Sequence, residues 1–127
     1  MHAARILVVE DDPEMLESVR DILRRAGHQV TTAVTGQDAL DRLLREQEPA
    51  AIVLDIRMPV MDGRELLTIA RSYRRLATIP VIVLTAAQQQ PDWLGSADIL
   101  MRKPFRVDDL LANVETLVGR GASRVAP

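Results

Sequence analysis

Arg5-Ile6-Leu7-Val8-Val9-Glu10-Asp11-Asp12-Pro13 passes from an apolar run straight into three acids and a proline. The apolar part does not alternate with polar residues. Such a run reads as a strand buried on both faces, the situation of a strand inside a parallel sheet. Ala50-Ala51-Ile52-Val53-Leu54-Asp55 and Pro80-Val81-Ile82-Val83-Leu84-Thr85 repeat the pattern, and Asp98-Ile99-Leu100-Met101 repeats it more weakly. Gln29-Val30-Thr31-Thr32-Ala33 is more polar and β-branched, which suits a sheet edge.

Helical patterns fall between these runs. Asp12 is a good N-cap and Pro13 suits the first helical position, after which Met15, Leu16, Val19, Ile22, Leu23 and Ala26 share one face. Gly27 stands where a helix-ending glycine belongs. Thr35 opens a second helix with Ala39, Leu40, Leu43 and Leu44 apolar, and Pro49 follows its end. Gly63 to Leu76 places Leu66, Leu67, Ile69, Ala70 and Tyr73 together, and Val107 to Val118 does so for Leu110, Leu111, Val114, Leu117 and Val118. Strands alternating with helices predict an α/β fold with a parallel sheet and right-handed crossovers. Five β-α units fit 127 residues as one domain. Between Thr85 and Asp98 the helical pattern fails, leaving room for one or two turns.

Composition narrows the function classes. The chain has no cysteine, so disulfides, thiolate catalysis and Cys-ligated metals are excluded. Net charge is −2 with the signs mixed, which is not the clustered basic face of a nucleic-acid binder. Arg71, Arg74 and Arg75 read as a solvated helix end. The N-terminus lacks the apolar core and cleavage site of a signal peptide, and no apolar run is long enough to span a bilayer. A cytoplasmic protein without membrane contact is expected.

Ligands of open parallel sheets bind beyond the carboxyl ends of the strands. The first strand delivers Glu10, Asp11 and Asp12 there, the third Asp55, the fourth Thr85, and the fifth leads to Lys103-Pro104. Each residue has an ordinary reading alone: Asp12 as a cap, the others as loop or surface residues. Together they gather carboxylates that repel by a few kcal/mol per close pair, at an effective dielectric of about 20, unless a cation joins them. An oxygen-only donor set points to Mg²⁺, with Mn²⁺ or Ca²⁺ as alternatives. His2 and His28 lie away from these strand ends, so a histidine-ligated metal is not expected. Lys103 is the only lysine beside 15 arginines.

Four segments now matter together: Ile6-Leu7-Val8-Val9-Glu10-Asp11-Asp12-Pro13, Leu54-Asp55-Ile56-Arg57-Met58-Pro59-Val60-Met61-Asp62-Gly63, Leu84-Thr85-Ala86 and Lys103-Pro104-Phe105. In kind, order and spacing they resemble the marker motifs of the response-regulator receiver family, over residues 5 to 118. The resemblance implies a flavodoxin-like receiver fold, a five-stranded parallel sheet of order 2-1-3-4-5 with helices on both faces. It implies that Asp55 accepts a phosphoryl group, and that Glu10, Asp11, Asp55 and the backbone carbonyl of Arg57 hold Mg²⁺. Thr85 and Lys103 would contact phosphoryl oxygens, and Gly63 would permit the turn after the acceptor loop. The implied partners are a histidine kinase or histidine phosphotransfer protein and an unknown downstream protein, with no direct nucleic-acid contact. Residues 1–119 would form the receiver domain and 120–127 a C-terminal tail or the start of a linker.

Two features depart from the family pattern. Many receivers carry Tyr or Phe at the switch position three residues before the lysine, where this chain has Leu100. The Thr85-to-Lys103 segment is also about four residues shorter than usual, about one helical turn. The fourth helix is expected to be shortened or absent, bounded by Pro91 and Gly95, with Trp93 covering the gap or anchoring a partner. Three functions compete. The first is a phosphorylatable receiver with phosphotransfer and autophosphatase chemistry only, not a conventional enzyme. The second is a pseudo-receiver, a protein-interaction module that is never phosphorylated. The third, an aspartyl-phosphate phosphohydrolase, conflicts with Asp55-Ile56-Arg57, which lacks the D-x-D pattern of that class.

Overall fold

The structure is a computed structural model that describes residues 3–55, 63–86 and 97–125, with backbone alone beyond residue 119. Its elements are β1 (Arg5–Val9), α1 (Pro13–Arg25), β2 (Gln29–Ala33), α2 (Gly36–Arg45), β3 (Ala51–Asp55), α3 (Gly63–Ser72), β4 (Val81–Thr85), β5 (Ile99–Arg102) and α4 (Val107–Val125). The five strands form one sheet of order β2-β1-β3-β4-β5, and every adjacent pair is parallel. The expected architecture is therefore present. The predicted shortening between Thr85 and Asp98, with Pro91, Trp93 and Gly95, falls outside the described residues.

Alternation along each strand divides the core in two. Leu7, Val9, Ile52, Leu54, Val81 and Val83 pack with Ala39, Leu40 and Leu43 of α2 and Leu66, Leu67 and Ala70 of α3. Ile6, Val8, Val53, Ile82, Leu84 and Met101 pack with Val19 and Leu23 of α1 and Leu110, Val114 and Leu117 of α4. Burying a large aliphatic side chain contributes about 1.5–3 kcal/mol, so both layers hold the sheet firmly. The central strands are apolar throughout because both of their faces are covered.

Local signals set the ends of elements. The Asp12 carboxylate accepts from the Glu14 N–H at 3.1 Å, and Thr35 Oγ1 accepts from the Asp38 N–H at 3.0 Å. Gly27 takes φ +99°, a conformation that L side chains rarely adopt, and turns the chain from α1 into β2.

The structure corrects four expectations. Helix α3 stops at Ser72, four residues before Leu76, and Tyr73 is exposed rather than on the apolar face. Leu44 is likewise exposed, at the rim of the α2 stripe. Arg71 and Arg75 are not simply solvated. Arg71 Nη1 donates to the carbonyls of Ala77 and Ile79 at 2.7 and 2.8 Å, and Arg75 Nη2 donates to those of Leu43 and Leu44 at 2.6 and 3.1 Å. Arg75 thereby caps the orphan carbonyls that end α2. Helix α4 continues past Val118, where its apolar pattern ends, to Val125.

Candidate functional site

The parallel sheet brings the ends of β1, β3, β4 and β5 to one edge. Glu10 directly follows β1, and its N–H donates to Ala33 O at 3.0 Å, carrying the ladder with β2 one step further. Asp55 is the last residue of β3 and Thr85 the last of β4. Lys103 follows β5, and its N–H donates to Thr85 O at 2.7 Å. The Lys103–Pro104 peptide is cis.

Glu10, Asp55 and Thr85 are buried, an unusual state for acids, while Asp11 is exposed. One carboxylate oxygen from each of Glu10, Asp11 and Asp55 lies within 4.8 Å of the others. Lys103 Nζ stands 3.5 Å from Glu10 Oε1 and 3.5 Å from Asp55 Oδ2. The Asp11 N–H donates to Glu10 Oε2 at 3.1 Å. Burial pushes the Glu10 carboxyl up to about 8, helped by the hydrogen bond to Asp55 and by its negative charge; Lys103 and the Asp12 backbone N–H act in the opposite sense. Crowded buried carboxylates relieve their repulsion by retaining a proton or by sharing a cation. The oxygen-only donor set fits a hard divalent cation such as Mg²⁺.

All the predicted side chains that are described reach this edge: Glu10, Asp11, Asp55, Thr85 and Lys103. Arg57, expected to offer its backbone carbonyl, lies outside the described residues. Leu100 is half-buried and packs against the α2–α3 layer. The ion pair between Lys103 and Glu10 was not foreseen, and the strand order alone could have suggested it, since β1 and β5 flank β3 and β4. His28 is buried at the opposite edge, accepting from the Ala4 N–H at 3.2 Å.

The sequence model of the response regulator receiver domain matches residues 6–115. This chain belongs to that family. The transcriptional regulatory protein PrrA of Mycobacterium tuberculosis is 42% identical over 123 residues, which cover 94% of this chain and 52% of PrrA. The chain thus spans about half the length of the curated relatives it matches. Among solved structures, the receiver domain of a Pseudomonas aeruginosa sensor histidine kinase superposes with a TM-score of 0.85 at 30% identity, over 93% of this chain and 99% of that one. That receiver carries a magnesium ion coordinated in its active-site cleft. The response regulator TrrA of Thermotoga maritima, in complex with Mg²⁺ and BeF, gives a TM-score of 0.81 at 30% identity over 89% of this chain and 97% of TrrA. The receiver is a signalling domain of two-component systems rather than a classical enzyme, and its acidic cluster can hold a metal ion. Among the described residues, no helix is long and apolar enough to cross a membrane.

Proposed function

We propose that this receiver accepts a phosphoryl group on Asp55 from a phosphohistidine of a histidine kinase or histidine phosphotransfer protein. The observation that carries this reading is the buried Asp55 carboxylate, grouped with Glu10 and Asp11 and lying 3.5 Å from the Lys103 ammonium. An Asp55 oxygen attacks phosphorus, the donor P–N bond breaks, and the departing imidazole nitrogen keeps the electron pair. Negative charge spreads over the phosphoryl oxygens during transfer, so positioning and opposite charge matter most. Glu10, Asp11, Asp55 and the Arg57 carbonyl would hold Mg²⁺, or Mn²⁺ by the same donor chemistry; the similar P. aeruginosa receiver carries magnesium in its active-site cleft. Bound there, the cation supplies charge neutralisation for the incoming phosphoryl group.

Lys103 pairs with one phosphoryl oxygen and Thr85 donates its hydroxyl to another. Water later hydrolyses the acyl phosphate, which makes the module a timed switch. The new charge draws Thr85 inward and alters the surface around β4 and β5, which a downstream protein reads in the cytoplasm. Leu100 has no ring to swing at the switch position, so the aromatic part of the family's switch is missing here. PrrA is a transcriptional regulator by name, so the expectation of no nucleic-acid contact is narrowed to these 127 residues.

Intact mass after incubation with acetyl phosphate and Mg²⁺ tests the reading. Wild type gains a phosphate adduct and Asp55→Asn does not. No adduct in wild type, with no Mg²⁺ affinity, supports the pseudo-receiver instead.

A further inference from the structure

Strand β5 is the weakest element of the sheet, yet it delivers Lys103. It has four residues and one strand neighbour, β4, at the edge of the sheet. Ile99, Leu100 and Met101 are all apolar, and only Met101 is buried. Such a strand fits the core almost equally well after a slip of one residue, and a slip moves every side chain to the other face. Burial therefore does not specify where Lys103 points.

Polar ties specify it instead. The Asp98 N–H donates to Val81 O at 3.0 Å, and Asp98 Oδ2 accepts from the Val81 N–H at 2.8 Å. Arg71 Nη2 stands 3.4 Å from the same Oδ2, while its Nη1 holds the Ala77 and Ile79 carbonyls. Asp98 thus fixes the start of β5 opposite the start of β4. The far end is closed by the Lys103 N–H on Thr85 O. Arg71 lies in the last turn of α3, so one guanidinium ties the end of that helix to the starts of β4 and β5, at the edge of the sheet opposite the site.

We propose that Asp98 and Arg71 are positioning residues for Lys103, setting the β5 register that aims its ammonium at Asp55. This rests on the reading of Asp55 as phosphoryl acceptor. The Mg²⁺ ligands ride on β1 and β3 and do not depend on this register. Loss of the pin therefore slows phosphoryl transfer without weakening Mg²⁺ binding.

The test measures three quantities in the full chain: the rate of adduct formation with acetyl phosphate, the Mg²⁺ Kd without phosphodonor, and the urea midpoint. Asp98→Ala is expected to slow transfer about tenfold, the effect of losing one charge-assisted contact in the transition state. Its Mg²⁺ affinity does not fall: it stays at the wild-type value or tightens by up to the gain expected on removing Lys103 itself. Asp98→Asn keeps an oxygen for the Val81 N–H, folds as wild type does, and slows transfer by about threefold. Thr35→Ala, which removes the α2 cap and lowers the urea midpoint, keeps the wild-type rate. The proposal is overturned if Asp98→Ala and Asp98→Asn react at the wild-type rate, or if rate and Mg²⁺ affinity fall together in step with the urea midpoint. A wild type that takes no phosphate defeats the acceptor reading and the proposal with it; a reactive wild type matched by both variants defeats the proposal alone.

Discussion

Strands β3 and β4 bury every residue, and β1 all but Arg5, whereas β5 buries one of its four. The first group carries Glu10, Asp55 and Thr85. The second carries the one lysine. The acidic half of the site is thus held by apolar packing on both faces of the sheet, and the cationic half by hydrogen bonds at strand ends. The opposite edge repeats the second pattern. Strand β2 is also only partly buried, and His28 ties its start to Ala4. Burial makes the interior strands stable, while polar ties set register where burial is thin.

The largest expected effect separates the two kinds of strand by stability. Ile82→Ala in β4 empties a fully buried position and is expected to cost about 2–5 kcal/mol. Leu100→Ala in half-buried β5 costs about 1–2 kcal/mol by the same measure. Urea unfolding of both variants checks this, and equal losses would break the contrast.

Next in size is the electrostatic link between the halves. Lys103→Ala removes the ammonium that neutralises Glu10 and Asp55 at 3.5 Å. Magnesium affinity, followed by titration calorimetry, is expected to rise about three- to tenfold, because a cation competing for the same carboxylates is gone. The rate of phosphoryl transfer falls at the same time. Unchanged Mg²⁺ affinity would mean that the two halves are electrostatically independent.

The smallest effect concerns the far edge. Burial lowers the His28 pKa, with Glu115 opposing the shift, and protonation of Nδ1 would break its bond from the Ala4 N–H. The unfolded chain then takes up the proton first as pH falls. The contribution of His28 is fully present above about 6.5, declines as pH drops below that value, and levels off below the depressed folded value. Glu10 acts oppositely: its raised folded value favours the native state at low pH, an advantage lost as pH climbs from its unfolded value toward about 8. The difference between wild type and His28→Gln in urea midpoint, between pH 7.5 and 5.5, isolates the histidine (about one pH unit either side of its free value). A difference that does not change with pH would remove His28 from the account.

Much of this was legible in the sequence, for a physical reason. Strands covered on both faces must be apolar throughout, so Ile6 to Val9, Ile52 to Leu54 and Val81 to Leu84 announce themselves. Parallel strands deliver their ends to one edge, so Glu10, Asp55, Thr85 and Lys103 could be grouped before any coordinates. The polar ties were not legible. Arg71 and Arg75 bond backbone carbonyls, which have no residue-type signature, and those carbonyls reach them only through the turn after Ser72. That turn also explains Tyr73, whose periodicity matches a helix that has already ended. Asp98 reads as the first residue of a strand, and nothing in its neighbours shows that its carboxylate meets Val81 and Arg71.

The central claim is that Asp55, among several neighbouring acids, is the acceptor. Treating wild type with acetyl phosphate and Mg²⁺, trapping the acyl phosphate by borohydride reduction and mapping the peptides by mass locates it directly. The account predicts reduction at Asp55 alone. A modified Glu10, Asp11 or Asp12, or no trapped residue at all, would contradict it.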